Sequence, residues 1–197
     1  MSYAMNLGTR FRSLPLSPFH YPLAYLLNKL HWRLSLPGLI VGSIFPDVEI
    51  PIIFLLFGGR LPLNRLVLHS LLGGAIFGTF LAAAFTIFFY PSLMGLLEPG
   101  LKWKARERCR FSRNLIVSCL LGVLSHVLLD YTNHPFNPIL WPSLGTLDTP
   151  SVVYFALERI WNASTMIHIF MGTLLIGLII KNRGKEIFTK LFVGGSQ

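Results

Sequence analysis

The sequence predicts an all-α protein: a multi-pass membrane helical bundle with an N-terminal helical hairpin and three long transmembrane helices. Three observations carry that prediction. Of the 197 residues, 53% are hydrophobic and only 13% charged, with a mean hydropathy of +0.60, whereas a water-soluble domain carries about 25% charged residues. Long stretches lack charge altogether, and the basic residues are sorted between loops. The same composition excludes a disordered chain. Two cysteines, Cys109 and Cys119, make neither a disulfide framework nor a CxxC zinc knuckle. The opening MSYAMNLGTRFRSLPLSPFH has no apolar core followed by a small-residue cleavage site, so no cleaved signal peptide is expected.

The elements follow in order. A transmembrane helix needs about 20 apolar residues. Ser17–Asn28 and Leu36–Pro46 are apolar but too short to span alone, and KLHWRLSLPG between them holds Pro37 and Gly38 to stop and restart a helix. They read as a hairpin. Ser70–Tyr90 carries no charged residue or histidine; Asn114–Leu129 is interrupted only by His126, and Ala163–Ile180 only by His168. These are the three long spans. The chain divides into an N-terminal segment (1–16), a membrane helical domain with the polar motifs (17–142), an exoplasmic loop (143–162), a last transmembrane helix (163–181) and a basic tail (182–197).

Charge then orients the bundle. The hairpin tip (Lys29, Arg33), the 91–114 loop (Lys102, Lys104, Arg106, Arg108, Arg110, Arg113) and the tail (Lys181, Arg183, Lys185, Lys190) share one face. Arg10, Arg12, Arg60, Arg65 and Arg159 fall on the other. The positive-inside rule makes the richer face cytoplasmic. The net charge of +9 is thereby assigned to topology and anionic lipid, and no nucleic-acid partner is expected. Trp103 and Phe111 within the basic run read as interfacial anchors.

An ionisable residue inside a membrane segment is costly and marks a functional site by default. Five stand out: His20 in SPFHYPLAY, Asp47 in GSIFPDVEI, His69 in LVLHSLLGG, and His126 with Asp130 in LSHVLLD. The hairpin brings the start of its first limb and the end of its second to one level, where the next span begins and the following one ends. All five converge there, toward the exoplasmic side. His126 and Asp130 are one helical turn apart on one face. Imidazole and carboxylate without thiolate suit Zn²⁺, Mn²⁺ or Fe²⁺. The five are the expected metal ligands, and Asp47 and Asp130 the carboxylates expected to serve catalysis. Glu49 would face away from Asp47 on a regular helix, but Pro46 and Pro51 interrupt that regularity and keep it a candidate supporting residue. Ser70, Ser125 and His134 adjoin the motifs and are candidates for the same role.

SPFHYPLAY, LPGLIVGSIFPDVE, LHSLLGG and GVLSHVLLDYTNH followed by WP resemble the small bacterial and archaeal membrane-bound metal-dependent hydrolases, which include LexA-regulated inner-membrane proteins and a related family of unknown function. The resemblance covers roughly residues 17–142. It implies a multi-pass helical domain with an early His (His20), a Pro-Asp motif (Pro46-Asp47), a His-Ser motif (His69-Ser70) and a Ser-His-x-x-x-Asp motif (Ser125, His126, Asp130). More distantly the family is similar to zinc-dependent phospholipases C and P1-type nucleases, in which His and Asp ligands activate water against phosphate esters. Only one HxxxE/D motif is present here, which implies one metal rather than three. The expected function is a membrane hydrolase of a phosphoester, either a small molecule or a lipid that enters laterally. The rival is a non-enzymatic protein, a metal or proton transporter or a structural one, using the same cluster.

Overall fold

Helix starts are encoded locally. In the computed structural model, which describes residues 17–57, 65–142 and 149–194, Ser35 opens α2 (Leu36–Ile44) by accepting from Gly38 N, with Pro37 in the first turn. Ser112 likewise caps α8 (Arg113–Asn133), Ser151 caps α9 (Val152–Glu158) and Asn162 caps α10 (Ala163–Asn182). Each oxygen satisfies an N–H that the helix cannot. The N-terminal segment 1–16 and positions 143–148 of the expected exoplasmic loop lie outside the described residues. One antiparallel pairing, β1 (Phe136–Asn137) with β2 (Thr149–Pro150), closes the loop between α8 and α9.

The architecture is an all-α membrane bundle. Among the described residues, four stretches are long and apolar enough to span a bilayer: Leu36–Phe57, Leu71–Phe88, Arg113–Asn133 and Ala163–Asn182. The hairpin is present as α1 (Tyr21–Leu30) and α2. Its second limb does not end at Pro46. A 3₁₀ turn, Phe45–Val48, absorbs the missing N–H of Pro46, and the chain runs on as α3 (Glu49–Phe57). The second stretch begins as α4 (Leu71–Gly73), passes through a π turn at Gly74–Gly78 and continues as α5 (Thr79–Phe88). Two short helices, α6 (Tyr90–Leu97) and α7 (Pro99–Arg108), connect it to α8.

Helix α8 is the centre of the bundle. It meets α2 backbone to backbone: a Cβ on Gly122 would lie 2.5 Å from Leu39 O and 3.0 Å from Gly42 Cα. On its other side Val123 lies against Gly74 and Gly78. Small residues let helices approach closely where lipid offers no hydrophobic drive. On the hairpin-tip side of the polar residues, Leu39, Leu115, Cys119 and Val123 are each 0% exposed. Helix α10 is peripheral, with Ile169, Phe170, Ile176 and Ile180 turned outward. The tail does not trail away. Leu191 and Val193 are buried, and the Tyr21 and Tyr90 hydroxyls donate to the carbonyls of Leu191 and Phe192 at 2.7 and 2.8 Å. Cys109, at the end of α7, is buried, and burial pushes its thiol up to about 12.

Candidate metal centre

The cluster is assembled from three parts of the chain, each with a local reason to present its side chains. Pro46 has no N–H to offer the carbonyls behind it, and Ser43 O, three residues back, accepts from His126 Nδ1 at 2.7 Å. The 3₁₀ turn that follows carries Asp47 toward α8. His69 precedes the cap of α4, where Ser70 Oγ accepts from Gly73 N and donates to Val67 O. His126 and Asp130 lie one turn apart on α8.

Asp47, His69, His126 and Asp130 each bring one ligand atom into a group whose members all lie within 4.8 Å of one another. His69 Nε2 is 3.7 Å from Asp47 Oδ1 and 3.7 Å from Asp130 Oδ2. His126 Nε2 is 3.5 and 3.7 Å from the same two oxygens. A tetrahedron with ligand bonds of roughly 2.0–2.2 Å has edges of about 3.3–3.6 Å. Four of the six separations are thus close to the edges of a divalent ion's tetrahedron, and the other two lie within 4.8 Å, so the donor set fits an ion once it draws the ligands in. Its chemistry agrees: the Nε2 atoms of His69 and His126 are buried without a hydrogen-bond partner, a state that is expensive unless something accepts the lone pairs.

Both imidazoles are held in the tautomer a metal requires. His69 Nδ1 donates to Glu49 Oε2 at 2.9 Å, and His126 Nδ1 donates to Ser43 O. Each Nε2 is left with its lone pair directed at the carboxylates. Glu49 also accepts from Leu66 N and Leu68 N, which anchors the strand of chain carrying His69.

His20 stands beside the group of four. Its Nε2 is 3.4 Å from Asp130 Oδ1, whereas His69 and His126 approach Oδ2. Its ring stacks on His126 with centroids 3.9 Å apart. Ser70 caps a helix and Ser125 Oγ donates to Gly122 O, so both hold backbone. Burial, reinforced by the neighbouring Arg65 charge, pushes His134 down to about 3. Neutral His134 accepts from Arg65 Nη2 at 2.8 Å, and its Nε2 lies 3.9 Å from Asp130.

Arg65 is the residue that sequence reasoning left on the exterior. It is 7% exposed, with Nε 3.2 Å from Asp130 Oδ2. Its position four residues before His69, at the edge of an apolar span, was the available signal. Three carboxylates and one guanidinium leave two negative charges in the centre, which one divalent cation cancels. The residual exposure is concentrated on three side chains. Counting side chains alone, Asp47 is 10% exposed and Arg65 and Glu49 9% each, against 2% or less for His69, His126 and Asp130.

The model of the YdjM inner membrane protein family matches residues 19–195. The chain belongs to this family. No curated protein and no solved structure matches it. The YdjM match takes in every residue of the cluster and extends over α9, α10 and the packed tail. Membership of the YdjM family establishes an inner-membrane protein and leaves the chemistry to be argued from the residues themselves.

Proposed function

We propose that this protein is a membrane-embedded, metal-dependent hydrolase acting on a phosphoester, with membrane lipid as the nearest source of substrate. The carrying observation is the pair of buried, unpartnered Nε2 atoms facing two carboxylates at near-tetrahedral spacing. His69, His126 and Asp130 would hold a divalent cation, zinc first among manganese and iron by donor type. Such an ion supplies an acidified water. Asp47, the most open of the four, is the carboxylate best situated to take a proton from that water. Glu49 and the Ser43 carbonyl hold the imidazoles, and His20 steadies the second oxygen of Asp130. The basic loop 91–114 and the C-terminus face the cytoplasm in this reading, and the site opens toward the other side.

Metal analysis of detergent-purified protein tests it. Wild-type protein should carry zinc or manganese in stoichiometric amount and cleave a phosphodiester. His126→Ala and Asp130→Asn should each lose metal and activity while still inserting, and Glu158→Gln should retain both. A purely structural cluster would respond with lower stability alone, because losing one partner strands a buried polar group at about 1–3 kcal/mol. Metal persisting in both variants, or wild-type protein that takes up none, overturns the reading.

A further inference from the structure

Arg65 is unusual in where it is. Its guanidinium is buried against Asp130 and His134, and its side chain, with those of Asp47 and Glu49, keeps more exposure than the rest of the centre. It is within ion-pair distance of Asp130 Oδ2 through Nε at 3.2 Å, yet Nε completes no hydrogen bond. Nη2 is steadied by His134. A guanidinium whose task is to pin a carboxylate normally does so through two parallel N–H···O bonds. Here the fork completes no hydrogen bond with Asp130, although Nε comes within 3.2 Å of Oδ2.

Charge sharpens the point. The oxygen that Arg65 approaches, Asp130 Oδ2, is the one that His69 and His126 also approach. A cation in that group would lie close to the guanidinium. Two neighbouring positive charges in a desolvated site repel unless a negative group lies against both. Asp130 provides one such group. An oxyanion touching the cation and the guanidinium together would provide the second and would satisfy Nε.

We propose that Arg65 is the anion-binding residue of this centre, gripping a non-bridging phosphoryl oxygen of the substrate and so selecting an anionic phosphoester over a neutral carboxylic ester. The inference rests on the metal-centre reading above and adds the substrate's charge class to it. His134 is then a positioning residue for Arg65, acting through its acceptor nitrogen.

The test is titration of inorganic phosphate into zinc-loaded, detergent-solubilised protein, followed calorimetrically, with zinc content measured on the same samples. Arg65→Gln should keep its zinc and bind phosphate about 10- to 100-fold more weakly, the range for losing a charged hydrogen-bond donor. Arg65→Lys keeps the charge without the fork, should fold where the glutamine variant does not, and should bind phosphate several-fold more weakly than wild type. Phosphate affinity unchanged in either folded variant overturns the proposal. So does loss of zinc from Arg65→Gln, which would make Arg65 a support for Asp130. If wild-type protein takes up no zinc, the metal reading falls by itself, and the same titration on metal-free protein judges Arg65: dependence on Arg65 supports the anion site, and independence overturns it.

Discussion

Replacing Gly122 with alanine tests the bundle's central contact. The new Cβ would lie 2.5 Å from Leu39 O, 2.9 Å from Ser43 N and 3.0 Å from Gly42 Cα. All three are backbone atoms, so no side chain can rotate away. Comfortable separations are about 3.5 Å or more, so α2 and α8 must part by roughly 1 Å. That motion stretches the 2.7 Å bond from His126 Nδ1 to Ser43 O beyond hydrogen-bonding range. Overpacking costs about 1–3 kcal/mol, and an orphaned buried N–H about 1–3 kcal/mol more. At roughly 2–4 °C per kcal/mol for a chain this size, thermal unfolding in detergent should fall by about 4–24 °C. Gly177→Ala, where a Cβ meets nothing within 4 Å, should melt with the wild type. A Gly122→Ala protein that also melts with the wild type refutes the backbone-to-backbone packing and the link from it to His126.

Three further outcomes are expected. Glu49→Gln preserves shape but cannot offer acceptors to His69 Nδ1 and both backbone amides at once; metal affinity, measured by chelator competition, should drop about 10- to 100-fold, and an unchanged value would show that Glu49 does not set the His69 tautomer. Tyr21→Phe with Tyr90→Phe removes both hydroxyl clasps on the tail; each bond is worth about 1 kcal/mol, so the double variant should melt lower and expose the last turn to protease, and an unaltered digestion pattern would count against a packed tail. Cys109, buried and with its pKa raised to about 12, stays a protonated thiol at pH 7.5 and should react with maleimide only after unfolding; fast labelling of the native protein would contradict its burial.

The cluster was legible because the bilayer makes it so. Asp47, His69, His126 and Asp130 interrupt apolar runs, and the cost of putting them there is visible in one dimension. The level at which they meet follows from the hairpin, which Pro37, Gly38 and the short limbs announce. Glu49 was harder, since its spacing from Asp47 places it on the far face of a regular helix. The 3₁₀ turn at Phe45–Val48 changes that rotation, and only Pro46 and Pro51 hinted at it. The continuation through α3 was hidden for the same reason: a proline that breaks a helix and one that merely tightens a turn look alike in sequence. Arg65 was missed because a basic residue at the end of a span ordinarily faces water or headgroups. Its burial depends on Asp130 and His134, distant in the chain, and no local pattern encodes that.

The buried layer of Leu39, Leu115, Cys119 and Val123 has a consequence for the cell's energy balance. A cluster of histidines and carboxylates inside an energised membrane is a hazard, because protons hopping through it along connected water would discharge the gradient. Such a short circuit needs wetting from both sides. Here the four residues under the cluster are fully buried, and α2 and α8 are in backbone contact beside them. A packed layer of that kind slows the passage of protons between the cluster and the hairpin-tip side. Ser118 and Thr86 are buried at the same level, but their hydroxyls donate to the carbonyls of Asn114 and Ala82 within their own helices and so are not free to pass a proton on.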